Sequence, residues 1–236
     1  MKLFSALMTV FFPQRCVYCG KVIDPGETLC GVCAQGACRV PLPVCFACGK
    51  AKKDCDCGGA YGRYIAAIAA PYYYEGVIRR AIHRMKFQRQ TDTAERLARE
   101  MTRFAREVYW GVRFDCVTFV PMTGREMRER GFNQSRLLAE GVAEGLELPL
   151  EPLLTKIFET GRQRGLDSLD RSGNVLGVFD VLRPEVVEGR RILLCDDLTT
   201  TRSTLNECAK MLILYGAREV FCLTAAVSVS RKNEKG

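Results

Sequence analysis

Four close pairs of cysteines near the amino terminus constrain this chain more than any other feature. The sequence has 13 cysteines among 236 residues, and most of them lie between Cys16 and Cys57. Two residues between paired cysteines let one tight turn aim both sulfurs at a single metal ion, and two such turns complete the tetrahedral shell of zinc. The pairs therefore predict a double zinc ribbon with two structural zinc ions. In chain order, the ligand sets are Cys16, Cys19, Cys30 and Cys33, and Cys45, Cys48, Cys55 and Cys57.

The sequence leaves alternatives to this zinc assignment open. The last pair, CDC, has one intervening residue rather than two, and Cys38 is a spare thiol that could replace a ligand. A disulfide scaffold or a redox pair would also use close cysteines, although the rest of the chain is typical of cytosolic proteins, where thiols stay reduced. Catalytic zinc is disfavoured, because an all-cysteine shell has no open position and the only histidine, His83, lies outside the cluster.

The cysteine-rich composition ends near residue 60, which predicts two domains. Residues 1–60 would hold an N-terminal helix and the double zinc ribbon, and residues 61–236 a larger domain. The first segment, MKLFSALMTVFF, has apolar residues at helical spacing and is far shorter than the roughly 20 residues that span a bilayer. We therefore expect a cytoplasmic protein with no membrane span. The formal charge of +8 is weak support for a nucleic-acid partner, because zinc-bound thiolates would offset part of it.

The larger domain has the pattern of a parallel α/β sheet. An extended segment, RYIAAIAAPYYYEG, is followed by two stretches with helical spacing, and FDCVTFVP then begins a strand, loop and helix. The same order recurs near the carboxyl end, where RRILLC and EVFCLTAAV are apolar strands on either side of a helical stripe. Parallel sheets of this kind bind ligands at the carboxyl ends of their strands.

The stretch ILLCDDLTTTRSTL places two acids and a hydroxyl-rich loop at such a strand end. A helix that begins after this loop offers unpaired backbone N–H groups and a partial positive charge, to which a phosphate binds well. The adjacent carboxylates, Asp196 and Asp197, suit sugar hydroxyls or a divalent cation. Together these features predict a sugar phosphate as ligand, bound with a metal ion. Simple helix capping by the hydroxyls is the alternative interpretation.

The stretch resembles the signature of type I phosphoribosyltransferases, and nearly the whole chain is similar to the ComF family of competence-related proteins. The resemblance is carried by the cysteine module, IHRMKF, RERGFNQSRLLAE and five spaced residues. These five are Gln163, Leu166, Arg171, Asn174 and Phe179. The resemblance implies a type I phosphoribosyltransferase-like parallel sheet flanked by helices, with a small N-terminal zinc-ribbon module.

The resemblance also implies that the larger domain binds phosphoribosyl pyrophosphate or ribose 5-phosphate with Mg²⁺. Asp196 and Asp197 would contact the ribose hydroxyls and serve any catalysis. The pyrophosphate would face the loop through Arg130, Gly131, Asn133 and Gln134. The phosphoribosyl group would be held by Thr199, Thr200, Thr201, Arg202, Ser203 and Thr204.

Arg202 departs from the family pattern, because it stands where the signature usually has glycine. Glycine lets a phosphate approach the backbone closely, whereas an arginine adds a long side chain that also carries a fork suited to phosphate oxygens. Two outcomes follow. The arginine either leaves the pocket or joins the phosphate site, so that binding survives, or it fills the pocket and binding is lost.

The leading functional hypothesis is a ComF-like cytosolic protein that supports DNA uptake and natural transformation through its phosphoribosyl-binding domain. The sequence shows no acceptor site, so turnover as a phosphoribosyltransferase is left open. The alternative is a non-catalytic zinc-ribbon protein that binds nucleic acid, with single-stranded DNA as its partner. A variant of this alternative is a scaffold that docks DNA-uptake proteins through the zinc ribbons.

Overall fold

The computed structural model describes residues 13–58, 63–88, 91–157 and 178–229. The predicted N-terminal helix at residues 1–12 lies outside these ranges. Four of the five spaced residues of the family resemblance, Gln163, Leu166, Arg171 and Asn174, also lie outside them. Within the described residues, no helix is long and apolar enough to cross a membrane.

A five-stranded parallel sheet forms the centre of the molecule. Its strands are β1 (Ala67–Ala69), β2 (Tyr72–Tyr73), β3 (Cys116–Phe119), β6 (Arg191–Thr199) and β7 (Glu219–Val227). The order across the sheet is β1, β7, β6, β3, and β2 continues beyond β1 along the same edge of β7. The long strands β6 and β7 are buried over almost their whole length, as strands covered on both faces must be.

The predicted extended segment near residue 70 is confirmed, but it forms two short strands rather than one. Pro71 separates β1 from β2. Proline lacks a backbone N–H group, so within sheets it is confined to edge strands and strand ends. The break falls on the edge of the sheet, where one side of the strand does not need a ladder partner.

Helices cover both faces of the sheet. They are α1 (Gly31–Gly36), α2 (Gly76–Gln88), α3 (Thr91–Val108), α4 (Gly124–Arg130), α5 (Gln134–Leu146), α6 (Pro184–Val187) and α7 (Ser203–Leu214). An antiparallel pair, β4 (Leu154–Lys156) with β5 (Phe179–Val181), stands beside the sheet. One apolar core lies between the sheet and α2, α3 and α5, and the other lies between the sheet, α7 and the β4–β5 pair. Alternate residues of β6 serve the two cores: Leu193 and Cys195 face the first, Ile192 and Leu194 the second.

The cysteine-rich region packs against the edge of this sheet. Backbone N–H groups of Val40 and Ile68 donate to Pro71 and Phe46, at 2.9 and 2.8 Å. Tyr18, buried in this region, belongs to the same core as α2 and α3. The zinc-ribbon region thus covers the exposed edge of β1 and β2, an edge that would otherwise be open to aggregation. The division of the chain at residue 60 stays a prediction.

Candidate functional site

Two adjacent buried carboxylates lie near the carboxyl end of β6. Asp196 and Asp197 are 9% and 4% exposed, and successive residues of a strand point to opposite faces of the sheet. Asp196 accepts a hydrogen bond from the Ser135 hydroxyl, 2.6 Å away, and another from the backbone N–H of Asp197 at 2.8 Å. Because Ser135 lies in the first turn of α5, this contact brings the RGFNQ segment to the end of β6.

Asp197 makes an ion pair with a residue from a distant helix. Its Oδ2 atom lies 2.7 Å from Nζ of Lys86, near the end of α2. A buried carboxylate needs a partner of this kind, because burying an isolated charge costs several kcal/mol. Lys86 therefore neutralises one of the two acids and leaves Asp196 without an ion pair of its own among the described residues.

The two acids differ in their electrostatic surroundings. Burial, together with the neighbouring charge of Asp197, raises the pKa of Asp196 to about 7. The hydrogen bond from Ser135 and the charge of Lys86 act in the opposite direction without cancelling the effect. Near neutral pH, Asp196 is therefore partly protonated, and a ligand that donates hydroxyl groups or brings positive charge would favour its ionised form.

The loop after the acids is short and leads directly into α7. Thr199 is the last residue of β6, and Ser203 is the first residue of α7. The hydroxyls of Thr201 and Ser203 lie 2.9 Å apart on the exposed side of the loop, and Thr199 is buried with its hydroxyl 3.1 Å from that of Thr224. The N-cap of α7 provides no side-chain hydrogen bond, so the first N–H groups of this helix keep the capacity to bind an anion.

Arg202 has left-handed backbone geometry, with φ at 67°. This is the region that glycine adopts freely and other residues rarely do. Its side chain extends to the zinc-ribbon region, where Nη1 donates to the carbonyl oxygen of Ala47 at 2.9 Å. Of the outcomes expected from the sequence, the structure shows the arginine directed to a protein partner, and its role toward phosphate stays a prediction.

The RGFNQ segment joins α4 to α5 and is held by its own side chains. Gly131 ends α4 in the left-handed conformation, with φ at 78°. Asn133 begins α5, accepts hydrogen bonds from the N–H groups of Ser135 and Arg136, and donates to the carbonyl of Val120 at 3.1 Å. The structure therefore gives Gly131 and Asn133 roles in shaping the loop, while their contact with pyrophosphate stays a prediction.

Arg130 and Gln134 connect this loop to the end of α2. The guanidinium of Arg130 lies over the ring of Phe87, 5.8 Å from its centroid, and Nη1 donates to Oε1 of Gln134 at 3.3 Å. Phe87 directly follows Lys86, so the end of α2 contacts both sequence motifs: the acid pair through the lysine and the RGFNQ loop through the phenylalanine. The predicted residues thus converge at the carboxyl edge of the sheet.

The eight paired cysteines form two tetrads. In each, all sulfurs lie within 4.8 Å of one another, and the sets are Cys16, Cys19, Cys30 and Cys33, and Cys45, Cys48, Cys55 and Cys57. Sulfur distances of 3.7 Å in the first tetrad and 3.2 to 3.7 Å in the second are close to the spacing of about 3.8 Å that Zn–S bonds of about 2.3 Å require. The tetrads fit two structural zinc ions.

The tetrads resolve the alternatives that the sequence left open. The CDC pair supplies two ligands of the second tetrad, and Cys38 is exposed and belongs to neither. All 13 cysteines lie within the described residues, and none forms a disulfide. Gly20 and Gly49, which follow the second cysteine of their knuckles, have φ values of 76° and 78°. The tight turns predicted at these cysteine pairs, called zinc knuckles below, therefore end in a conformation that glycine adopts at little cost.

Comparison with known proteins agrees with this arrangement. Residues 7–64 match the double zinc ribbon domain family. The chain is 29% identical over 231 residues to Competence protein F of Haemophilus influenzae, covering 90% of this chain and 96% of the relative. It is 30% identical over 208 residues to DNA utilization protein YhgH of Salmonella typhimurium, covering 83% and 89%. The chain belongs to the ComF family. Competence protein ComFC of Bacillus subtilis is 25% identical over 83% of this chain and 82% of its own length.

The parallel sheet flanked by helices and the N-terminal zinc-ribbon module that were predicted for this ComF-family chain are confirmed. Solved structures with similarity include an allosteric regulatory enzyme of purine biosynthesis, at 28% identity and a TM-score of 0.41, covering 56% of this chain and 25% of that one. A hypoxanthine-guanine-xanthine phosphoribosyltransferase is 16% identical with a TM-score of 0.35, covering 62% and 69%.

Sequence reasoning missed three contributors to the site of this ComF-family chain. Lys86 and Phe87 lie in the IHRMKF motif and Ser135 in the RGFNQS motif, yet no role followed from the motifs themselves. Ser135 had a usable signal, since it directly follows a predicted binding residue at a helix start. Lys86 had none, because its carboxylate partner lies on a strand more than 100 residues away in sequence.

Proposed function

We propose that this ComF-family protein binds phosphoribosyl pyrophosphate, or ribose 5-phosphate, at the carboxyl edge of its sheet. The observation that carries the proposal is the buried pair Asp196 and Asp197, placed immediately before a loop of hydroxyls and an uncapped helix start. Carboxylates accept hydrogen bonds from sugar hydroxyls, and an uncapped helix start binds phosphate. A sugar phosphate satisfies both at once.

In this proposal each part of the site has a distinct task. Asp196 and Asp197 accept the ribose hydroxyls, and the loop Thr199 to Thr204 binds the 5-phosphate through its N–H and hydroxyl groups, including the backbone of Arg202. Arg130, Gly131, Asn133 and Gln134 form the side that faces pyrophosphate. Mg²⁺ would enter with the pyrophosphate and offset its charge.

The same carboxylates would serve turnover. In a transferase reaction the C1–O bond between ribose and pyrophosphate breaks, pyrophosphate leaves with the electron pair, and the acceptor forms the new bond at C1. Positive charge develops on the sugar during this exchange, and nearby carboxylates stabilise that charge. Near neutral pH Asp196 is partly protonated and Lys86 offsets the charge of Asp197, so positive charge that develops on the sugar would favour the ionised form of Asp196. A transferase reaction is therefore compatible with the site, and its acceptor substrate is to be identified by experiment.

The relatives support a proposal for the cellular role. Proteins named for competence and for DNA utilization match this chain over most of their length. We propose that this protein likewise supports DNA uptake and natural transformation from the cytoplasm, with phosphoribosyl binding as its biochemical activity. Proteins of the DNA-uptake machinery are its proposed macromolecular partners.

The test is ligand binding with a matched pair of variants. Isothermal titration calorimetry and thermal shift with phosphoribosyl pyrophosphate and Mg²⁺ should show binding to the wild type and none to Asp196→Asn/Asp197→Asn. Asp115→Asn is the control, because Asp115 lies at the opposite end of β6, where it accepts a hydrogen bond from the Arg191 N–H. Wild-type protein that shows neither heat nor shift would rule the proposal out.

A second candidate function, binding of single-stranded DNA, is favoured by one surface. The exposed side of α2 carries Arg79, Arg80 and His83 around a cavity of about 590 Å³. The ring of His83 contacts that of Phe87 at a tilt of 41°, with centroids 4.6 Å apart, and Phe87 is 62% exposed. Basic grooves with stacking aromatics bind single strands without sequence preference and with steep salt dependence.

Salt titrations with a fluorescent oligothymidine would test this surface. Arg79→Ala/Arg80→Ala should weaken binding and flatten the salt dependence. Arg99→Ala/Arg103→Ala is the matched control, because those arginines on α3 are paired with Glu95 and Glu100. Equal effects of the two double variants, or sequence preference that persists at high salt, would count against single-strand binding here.

A further inference from the structure

Arg202 occupies a backbone conformation that costs free energy for any residue with a Cβ atom. At φ 67° it turns the chain from the loop after β6 into the first turn of α7, within the segment proposed to bind phosphate. A residue other than glycine adopts this conformation only at a cost in free energy, unless its contacts compensate. Such strain at a ligand loop persists only where the surroundings hold it in place.

One contact that holds Arg202 in place reaches the second zinc knuckle. Its Nη1 donates to the carbonyl of Ala47 at 2.9 Å, and Ala47 is 1% exposed between the ligands Cys45 and Cys48. That turn is fixed by its own hydrogen bonds, among them Gly49 N–H to Cys45 carbonyl at 2.8 Å. A charged donor therefore reaches from the ligand loop to a backbone acceptor whose position the cysteine tetrad determines.

We propose that Arg202 is a positioning residue that couples the second cysteine tetrad to ligand binding at the loop between β6 and α7. The inference rests on the proposed phosphoribosyl-binding function. With the tetrad closed around its metal, the Ala47 carbonyl stays in place, and the guanidinium holds the loop in the left-handed turn that presents its N–H groups. Opening of the tetrad removes the acceptor and releases the turn.

Coupling of this kind must be reciprocal. If a closed tetrad strengthens ligand binding, bound ligand must stabilise the closed tetrad by the same factor. The ligand should therefore protect Cys45, Cys48, Cys55 and Cys57 from reagents that need a free thiol, because an intact metal shell hides those sulfurs.

The first zinc knuckle supplies a matched control within the same chain. Nη1 of Arg84 lies 3.4 Å from the carbonyl of Cys19, so an arginine again meets a knuckle carbonyl. Arg84, however, lies within α2 and not on the ligand loop. The two contacts thus share their chemistry and differ in whether the arginine belongs to the proposed binding site.

The first experiment measures ribose 5-phosphate affinity by calorimetry for the wild type, Arg202→Ala, Arg202→Gly and Arg84→Ala. Arg202→Ala loses the contact and keeps the backbone cost, so its affinity should fall about tenfold. Arg202→Gly loses the contact but adopts the turn freely, so its affinity should stay within about threefold of the wild type. Arg84→Ala should bind like the wild type.

The second experiment follows alkylation of individual cysteines by N-ethylmaleimide in zinc-loaded protein, read by peptide mass spectrometry. Saturating ribose 5-phosphate should slow modification of the second tetrad by about the factor seen in calorimetry, because the coupling is reciprocal. Modification of the first tetrad should be independent of the ligand. In Arg202→Gly the ligand should protect neither tetrad, although it still binds.

The outcomes separate this inference from the function on which it rests. If the wild type binds neither ribose 5-phosphate nor phosphoribosyl pyrophosphate with Mg²⁺, the proposed function is wrong and the coupling is wrong with it. If it binds only phosphoribosyl pyrophosphate, the same variants and controls are compared with that ligand. If the wild type binds, but Arg202→Ala binds equally well or the ligand protects both tetrads alike, only the coupling is wrong. Protection confined to the second tetrad and dependent on Arg202 would establish it.

Discussion

Two helices begin beside the proposed site, and their starts are built in opposite ways. Helix α5 begins at Asn133, whose side chain accepts from two backbone N–H groups and donates to the Val120 carbonyl. Helix α7 begins at Arg202, which gives its own helix no side-chain hydrogen bond and instead contacts Ala47. At the start of α5, backbone N–H groups are hydrogen-bonded by the side chain of the N-cap residue. At the start of α7, the backbone N–H groups have no such partner and can bind a ligand.

The two loops also make their left-handed turn with different residues. Gly131 precedes α5 and adopts φ 78° at little cost, while Arg202 adopts φ 67° at the start of α7. The α5 junction therefore forms at little backbone cost, whereas the α7 junction carries a backbone cost in the loop that we propose binds phosphate. Asp196, which accepts from Ser135 at the α5 start, links the two.

The largest effect on stability is expected when the N-cap of α5 is removed. Asn133→Ala removes the cap and leaves the buried Val120 carbonyl without its donor, so the free energy of unfolding should fall by roughly 3 kcal/mol in urea denaturation. Asn206→Ala near the start of α7 is the control, because Oδ1 of Asn206 is buried and has no hydrogen-bond partner in the described parts of the chain. If both variants lost the same free energy of unfolding, the start of α5 would not be more strongly stabilised by its cap than the start of α7.

Substitution of Asp196 should have a smaller effect on stability, and this effect should depend on pH. Because the pKa of Asp196 is raised from 3.8 to about 7 on folding, the native protein binds the extra proton, and stability falls as pH rises through this range. Asp196→Asn removes the cost, so its stability relative to the wild type should rise by roughly 2 kcal/mol from pH 5 to pH 8. Thermal or urea unfolding at the two pH values measures it, and a constant difference would contradict the assignment.

Substitution of Gly131 and of Arg202, which both have left-handed backbone geometry, should change the free energy of unfolding by different amounts. Gly131→Ala should lower the free energy of unfolding by about 1 kcal/mol, since alanine pays the cost that glycine avoids. Arg202→Gly should change it by less than about 0.5 kcal/mol, because relief of the backbone cost offsets loss of the contact with Ala47. Urea denaturation of both variants provides the comparison, and a large loss in Arg202→Gly would show that the contact outweighs the strain.

The smallest effect on stability is expected for Thr201, in the loop that leads into the uncapped start of α7. Thr201 is exposed, and its hydroxyl contacts only the neighbouring Ser203 hydroxyl among the hydrogen bonds of the loop. Thr201→Ala should change stability by less than about 0.5 kcal/mol, yet weaken ribose 5-phosphate binding by about 1 kcal/mol. Calorimetry with and without ligand separates the two quantities, and unchanged affinity would place the phosphate elsewhere.

The sequence alone determined those features that depend on short spacing. Two residues between paired cysteines let a single turn aim both sulfurs at one site, so three of the four pairs follow from local geometry. The use of Cys55 and Cys57, which the sequence left open, was decided by the structure. Local geometry also determines the order of strand, acid pair, hydroxyl loop and helix from Arg191 to Leu214, because neighbouring residues impose it. Apolar periodicity likewise predicted the strands and helices of the sheet.

The tertiary structure alone decided which distant side chains meet at the site. Lys86 reaches Asp197, Ser135 reaches Asp196, and Arg202 reaches Ala47, a residue 155 positions away. Each contact depends on the order of strands across the sheet and on the docking of the zinc-ribbon region at its edge. Local propensity does not encode that order, because it arises from burying apolar faces shared by segments that are far apart in sequence.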